Sequence, residues 1–356
     1  MTFIKRESMN INGFEITKKS APYIIAEMSG NHNGNLEIAL EIVRKSAESG
    51  ANALKVQTHT AEGITFNSKS KDFLIDDSKS LWNGQYLYDL YKSTELSKDW
   101  HKEIFNYAAQ LEITCFSSPF DVESVSFLET LNAPAYKIAS FESTDVLLLR
   151  AVAQTGKPVI VSTGMATLSD MDLIVNTLEK YGCKNYALLK CTSAYPADIS
   201  DANLKAIPLM KEIFGCPIGV SDHTIGNLVP TLSVALGATI IEKHVCLDRS
   251  LGGVDSAFSM EPDELTSLVQ DVKQTWQALG NGKIAPSENE KKSLQFRRSL
   301  YFVKDLIKGD IIDKDSIKSI RPGFGLATKY YDDLIGSKVS QDIVAGTATS
   351  WDLFNE

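Results

Sequence analysis

No window of the chain approaches the roughly 18 to 20 consecutive apolar residues that a membrane-spanning helix needs, which excludes a helical membrane anchor. The opening stretch, MTFIKRESMNINGFEI, interrupts its apolar residues with charges every few positions, so it carries no secretory core. Cys-x-x-Cys pairs are absent. Cys115, Cys183, Cys191, Cys216 and Cys246 are scattered and odd in number, which argues against a disulfide framework and predicts reduced thiols in a cytoplasmic protein. Positive charge is scarce as well: a formal net charge of −9 argues against nucleic acid or an anionic membrane surface as a general partner, so any anionic ligand needs a local basic pocket. A dinucleotide-binding phosphate loop is also missing, because AEMSGNHNGN has glycines without the G-x-G-x-x-G spacing.

What the sequence does contain is rhythm. Eight short runs rich in Val, Ile, Ala and Leu each end in polar residues: PYIIAEM at Glu27, ALKVQT at Gln57, ITCFSSP at Ser117 and Ser118, AYKIAS at Ser140, PVIVST at Thr163, ALLKCTS at Ser193, PIGVSD at Asp222 and TIIEKH at His244. Near-continuous apolar runs of this length suit parallel strands covered on both faces. Helical periods separate them, as in NLEIALEIVRKSAESGA, where Leu36, Ala39, Leu40, Val43 and Ala47 share one face and Gly50 ends the helix. Eight such alternations predict an α/β fold of the (β/α)8 TIM-barrel type over residues 1–280; an open doubly wound sheet would usually have fewer units. At 356 residues the chain suits such a barrel plus a small companion, and a hydrophobic content of 43% supplies its core. A polar linker, 281–296, leads to short alternating segments over 297–356, which predict a small β-rich domain. One insertion, from about Glu62 to Ser97, carries SLWNGQYLYDLY; it reads either as a lid or oligomer contact, or as a surface excursion packed by its own aromatics.

In such a barrel the C-terminal strand ends form one mouth, so the polar residues converge there. Lys55 and Lys137 sit inside apolar strands, where an unpaired ammonium is costly. Either each forms a structural ion pair with Glu27 or Glu142, or both line an anion pocket to which Ser118, Ser140, Ser162 and Ser221 add hydroxyls. Two lysines with several hydroxyls suit a doubly charged ligand such as a phosphoenol carboxylate. His223 and His244 follow neighbouring strands and read as the ligands of an open divalent site, against the plainer reading of hydrogen-bonded core histidines. His59 and His101 lack such pairing and are expected at the surface, and His32 is a further site candidate after the first strand.

Taken together, AEMSGNHNGN, KVQT, FSSPFD, YKIASFE, VSTGMAT, KCTSAYP, SDHTIG, GATIIEKH and IRPGFGL resemble the sialic acid synthase family over nearly the whole chain, and the last domain resembles its antifreeze-like (SAF) domain. The resemblance implies condensation of phosphoenolpyruvate with an open-chain acetamido sugar, with release of phosphate. It implies an enolpyruvate site of Lys55, Ser118, Lys137, Ser140, Ser162, Ser193 and Ser221, and sugar contacts from Gln57, Glu142, Tyr195 and Asp255. His223 and His244 would hold Mn2+, Co2+ or Mg2+, and Glu27 would handle the proton of the attacking water or partner a site lysine. Arg321, in IRPGFGL, would enter the partner subunit's barrel in a domain-swapped homodimer.

LWNGQYLYDLY and GGVDSAFSMEPDEL resemble the subgroup whose acceptor is 2,4-diacetamido-2,4,6-trideoxy-L-altrose, although Val254 stands where that subgroup usually has proline. Neuraminic-type members usually carry histidine and lysine directly after the aspartate, whereas Ser256, Ala257 and Phe258 follow Asp255 here, which predicts a small apolar surface beside it. Neuraminic and legionaminic acid synthases are the nearest rivals. A class I aldolase using Lys137 or Lys190 as a Schiff base, or a non-catalytic polysaccharide-assembly protein, is more remote.

Overall fold

A computed structural model of the chain describes residues 7–78 and 80–354. They form two compact units, divided between Gly280 and Asn281.

The first unit begins with a hairpin of β1 (Met9–Ile11) and β2 (Phe14–Ile16). Eight parallel strands follow: β3 (Tyr23–Glu27), β4 (Ala53–Thr58), β5 (Thr114–Pro119), β6 (Tyr136–Ile138), β7 (Val159–Ser162), β8 (Tyr186–Cys191), β9 (Ile218–Asp222) and β10 (Ile240–His244). They pair in sequence order and close through β10 against β3. The eight apolar runs are these eight strands, and the TIM barrel expected from them is the observed fold.

Strand side chains alternate between two faces, and the two cores follow that alternation. Ile24, Leu54, Tyr136, Val161, Leu188, Val220 and Ile241 face the surrounding helices. Tyr23, Ile25, Ala53, Phe116, Ile160, Ala187, Leu189 and Ile240 fill the interior towards the strand starts, where Met9, Ile11 and Ile16 of the hairpin pack against them. Burying those three side chains contributes about 1.5–3 kcal/mol each and plugs the lower end of the barrel. The remaining interior positions, towards the strand ends, are polar. The helix Leu36–Glu48 starts at Asn35, whose side chain accepts from the backbone N–H groups of Glu37 and Ile38, and it buries Ala39, Ile42, Val43 and Ser46.

In the second unit β11 (Ser299–Phe302) pairs antiparallel with β12 (Ile317–Ile320) over a core of Leu300, Phe302, Ile312, Ile317, Leu334, Val339 and Ile343. The segment read as a plain polar linker contains helical turns at Glu288–Lys291 and Lys292–Phe296, the first started by a Ser287–Glu290 capping box. Among the described residues no helix is long and apolar enough to cross a membrane.

Candidate active site

The polar strand ends enclose a cavity of about 340 Å³ in the barrel mouth. Twelve of the expected residues line it: Glu27, Lys55, Gln57, Lys137, Ser140, Glu142, Ser162, Tyr195, Ser221, His223, His244 and Asp255. Period-2 alternation explains the set: with Ile25, Ala53, Ile160 and Ile240 pointing inward, so do Glu27, Lys55, Ser162 and Glu242 two residues later. The same alternation turns Lys190 away. Its ammonium donates to the Cys191 carbonyl and to Thr192 Oγ1, which takes it out of the reckoning as a Schiff-base lysine.

At the floor two lysines meet two carboxylates. Lys55 Nζ lies 2.6 Å from Glu27 Oε2 and 3.9 Å from Glu242 Oε1, and Lys137 Nζ lies 3.6 Å from the same Glu242 oxygen. Both ammonium groups also donate to hydroxyls, Lys55 to Ser118 (3.2 Å) and Lys137 to Ser162 (2.7 Å), while Ser221 donates to Glu242 (3.0 Å). Glu242 was not among the expected site residues, although the inward alternation of TIIEKH marks it.

The two carboxyls differ. Burial pushes the Glu27 carboxyl above the usual carboxylate range despite Lys55 beside it, whereas Glu242, equally buried, is held below that range by Lys137, Lys55 and the Ser221 hydroxyl. Glu27 is therefore the stronger proton acceptor of the pair, and Gln57 donates to it (3.2 Å).

Ser140 and Ser193 meet around Gly164. A Cβ there would sit 2.2 Å from Ser193 Oγ and 2.8 Å from Ser140 Oγ, so only glycine admits both hydroxyls, and its own N–H donates to Ser140 (3.2 Å). Ser118 and Ser193 stand just behind the cavity wall, one on Lys55 and the other 3.8 Å from Cys191 Sγ. Arg321 is exposed in the second unit, directly after β12.

Across from the lysines the His223 and His244 rings lie 5.2 Å apart, edge to face, and Phe258 packs against both. His223 Nδ1 bonds to the Thr192 carbonyl (2.9 Å), which sets the tautomer and leaves Nε2 a lone pair. His244 Nδ1 is buried without a hydrogen-bond partner, 3.7 Å from Asp255 Oδ2. Burial and the neighbouring His223 keep His244 well below the usual imidazole range and therefore neutral, whereas Cys191 and the Thr192 carbonyl pull His223 the other way against its burial. An orphaned buried nitrogen beside a second free imidazole nitrogen fits a divalent ion with open positions. Among the described residues no group of three or more His, Cys, Asp and Glu converges on one point, so water or substrate would complete the coordination.

Several expectations change. His59 and His101 are buried, not on the surface. His59 lines the cavity, bonded through Nε2 to the insertion at the Tyr91 carbonyl and Thr94. His101 bonds Thr58 (2.8 Å) and the Ser97 carbonyl (2.9 Å), stapling the helix Lys98–Gln110 to β4. His32 lies outside the cavity lining, edge-on to Trp100. Ser256 bonds the Gly253 carbonyl and Ala257 is exposed, so neither supplies the apolar surface expected beside Asp255. Val254 and the insertion supply it: Ile64, Ile75, Trp82, Leu87, Leu90 and Tyr91 line the cavity, and Trp82 Nε1 donates to the Val254 carbonyl (3.2 Å). The insertion is a wall of the site rather than a separate excursion.

Glu142 faces this wall. Burial pushes its carboxyl up to about 7, so the folded state holds a proton there that the unfolded chain releases from about pH 4.5. Stability consequently falls as pH rises from about 4.5 to 7, by up to about 3 kcal/mol. Glu142→Gln is expected to be clearly more stable than the parent protein to urea at pH 8 and nearly equal to it at pH 5. An equal difference at both pH values would rule this account out.

These features have known counterparts. Residues 42–284 match the NeuB family model, and residues 297–355 match the SAF domain. The chain belongs to the NeuB family. Pseudaminic acid synthase of Campylobacter jejuni is 45% identical over 340 residues, covering 96% of this chain and 98% of the relative. Pseudaminic acid synthase of Helicobacter pylori is 43% identical, covering 93% of this chain and 97% of the relative. The crystal structure of N-acetylneuraminic acid synthetase from Leptospira borgpetersenii is 33% identical, with a TM-score of 0.73, covering 83% of this chain and 98% of that one. The sialic acid synthase resemblance read from the sequence is thus borne out, the C-terminal domain included.

Proposed function

We propose that the chain is a pseudaminic acid synthase, which joins phosphoenolpyruvate to open-chain 2,4-diacetamido-2,4,6-trideoxy-L-altrose, adds water and releases phosphate. The observation that carries this reading is the buried pair Lys55 and Lys137, with its ring of hydroxyls, facing His223 and His244 in one mouth, in a chain 45% identical to such a synthase. Two ammonium groups and the hydroxyls of Ser118, Ser140, Ser162, Ser193 and Ser221 are donors of the kind that a phosphate and a carboxylate accept from. Gln57, Glu142, Tyr195 and Asp255 carry the polar groups that orient the sugar, its aldehyde towards the histidines.

C3 of the enolpyruvate attacks the aldehyde carbon, whose oxygen becomes an alkoxide while C2 becomes cationic. Water adds to C2 and gives one proton to Glu27; the C2–O bond to phosphate then breaks as the new hydroxyl becomes the keto oxygen, and of the two protons of the water one ends on the alkoxide and the other on phosphate. Glu27 suits that proton because burial raises its affinity and Lys55 at 2.6 Å holds it in place. His223 and His244 would hold the divalent ion, which supplies polarisation of a carbonyl oxygen when bound. Cytoplasmic placement is supported by five cysteines that are odd in number, scattered along the chain and buried.

Incubation of the pure protein with phosphoenolpyruvate and each acetamido sugar in turn tests the reading. Phosphate release is expected with the altrose derivative and not without a sugar. Release with no sugar dependence, or none with any sugar, would overturn it.

The same reading includes a domain-swapped homodimer in which Arg321 completes the partner's site. It is supported by an exposed Arg321 and by a cavity that no arginine among the described residues lines. Mixing inactive Arg321→Ala with inactive His223→Ala should recover part of the activity, since each mixed dimer holds one intact site. No recovery despite confirmed subunit exchange would remove Arg321 from the partner's site.

A further inference from the structure

Strands β9 and β10 pair with Ser221 opposite Glu242 and Asp222 opposite Lys243. Because successive side chains alternate, these two pairs lie on opposite faces of the barrel wall. Ser221 and Glu242 face the cavity, while Asp222 and Lys243 enter the layer between strands and helices, where Val220 and Ile241 belong to the apolar core. Lys243 is 0% and Asp222 4% exposed. Lys243 Nζ lies 2.9 Å from Asp222 Oδ2 and also donates to the Thr224 carbonyl. The same carboxylate accepts from Thr224 N–H (3.1 Å) and Thr224 Oγ1 (3.0 Å).

Both neighbours of His223 are therefore tied to each other and to the residue that precedes His244. Stability does not explain such a pair, since well-packed apolar residues in place of a buried ion pair are commonly neutral or stabilising. What apolar side chains cannot provide is direction. Two directed contacts from Lys243 fix the turn after β9 relative to the end of β10, two more from Thr224 to Asp222 shape that turn, and the two histidines project from those two backbone segments.

We infer that Asp222 and Lys243 are positioning residues that set the spacing and aim of His223 and His244, and through them the affinity of the two-histidine site for a divalent ion. The inference rests on the metal reading above. Groups that orient metal-binding histidines from behind commonly contribute 10- to 100-fold in affinity, and this network acts through the backbone on both histidines at once.

The test is calorimetric titration of the full-length protein with Mn2+, alongside thermal unfolding and phosphoenolpyruvate binding. The double variant Asp222→Leu/Lys243→Met removes both charges without leaving one unpaired. It should bind Mn2+ at least about tenfold more weakly than the parent protein, with an unchanged or higher Tm and unchanged phosphoenolpyruvate affinity. Asp222→Asn/Lys243→Gln also removes both charges but keeps polar side chains of similar shape, so it should show a smaller loss in the same direction and serves if the first double variant does not fold. Parental Mn2+ affinity in a folded variant overturns the inference while leaving the metal reading intact. Failure of the parent protein to bind Mn2+ overturns both.

Discussion

Stripping the protein with EDTA should abolish turnover, and Mn2+, Co2+ or Mg2+ should restore it. The expectation comes from the donor set: His244 Nδ1 is buried without a hydrogen-bond partner, and the Thr192 carbonyl leaves His223 Nε2 a lone pair. Among the described residues that line the cavity the cationic side chains are Lys55 and Lys137, which lie at the floor beside Glu27 and Glu242, so the histidine pair is where a further positive charge would be held. Charge stabilisation by a metal is worth several kcal/mol, so loss of the ion should lower kcat at least about a thousandfold, or about 4 kcal/mol. His223→Ala and His244→Ala should each show that loss while retaining the parental circular dichroism spectrum. Full activity of the stripped protein would eliminate the Lewis-acid role.

Next in size is the choice of sugar. Val254 and the insertion place Ile64, Ile75, Trp82, Leu87 and Leu90 around the cavity that holds Asp255. A 6-deoxy sugar puts a methyl group where N-acetylmannosamine carries a hydroxymethyl group, and the second acetamido group adds a further methyl. Apolar walls reject an added hydroxyl only weakly, by roughly a hundredfold, so directional bonds from Asp255, Gln57 and Glu142 must contribute the remaining stereochemical choice. The altrose derivative should exceed N-acetylmannosamine by at least about a hundredfold in kcat/KM, or roughly 2.7 kcal/mol. Comparable values, or a preference for N-acetylmannosamine, would refute the acceptor assignment and leave the synthase chemistry standing.

The sequence by itself determined the barrel. A strand covered on both faces must be apolar nearly throughout, so ALKVQT or TIIEKH announces both a parallel strand and, by its polar end, the mouth. Alternation within the strand also carries the inward direction of Lys55 and Lys137, and read further it yields Glu242 and the outward turn of Lys190. Only the tertiary structure decided what depends on residues far apart in the chain. Trp82 meets the Val254 carbonyl across 172 residues, and that contact turns an aromatic insertion into a wall of the site. His59 and His101 look like surface residues in their local sequence; His59 is buried because the insertion folds back over it and supplies its hydrogen-bond partners, and His101 because its own helix packs against β4, where Thr58 bonds it. The unequal proton affinities of Glu27 and Glu242 have the same origin. Desolvation and the approach of two lysines set them, and both are properties of the closed barrel, in which strands β3 and β10 become neighbours although their first residues, Tyr23 and Ile240, are 217 positions apart. Local sequence encodes which residues face inward, and closure of the ring decides which charges they meet.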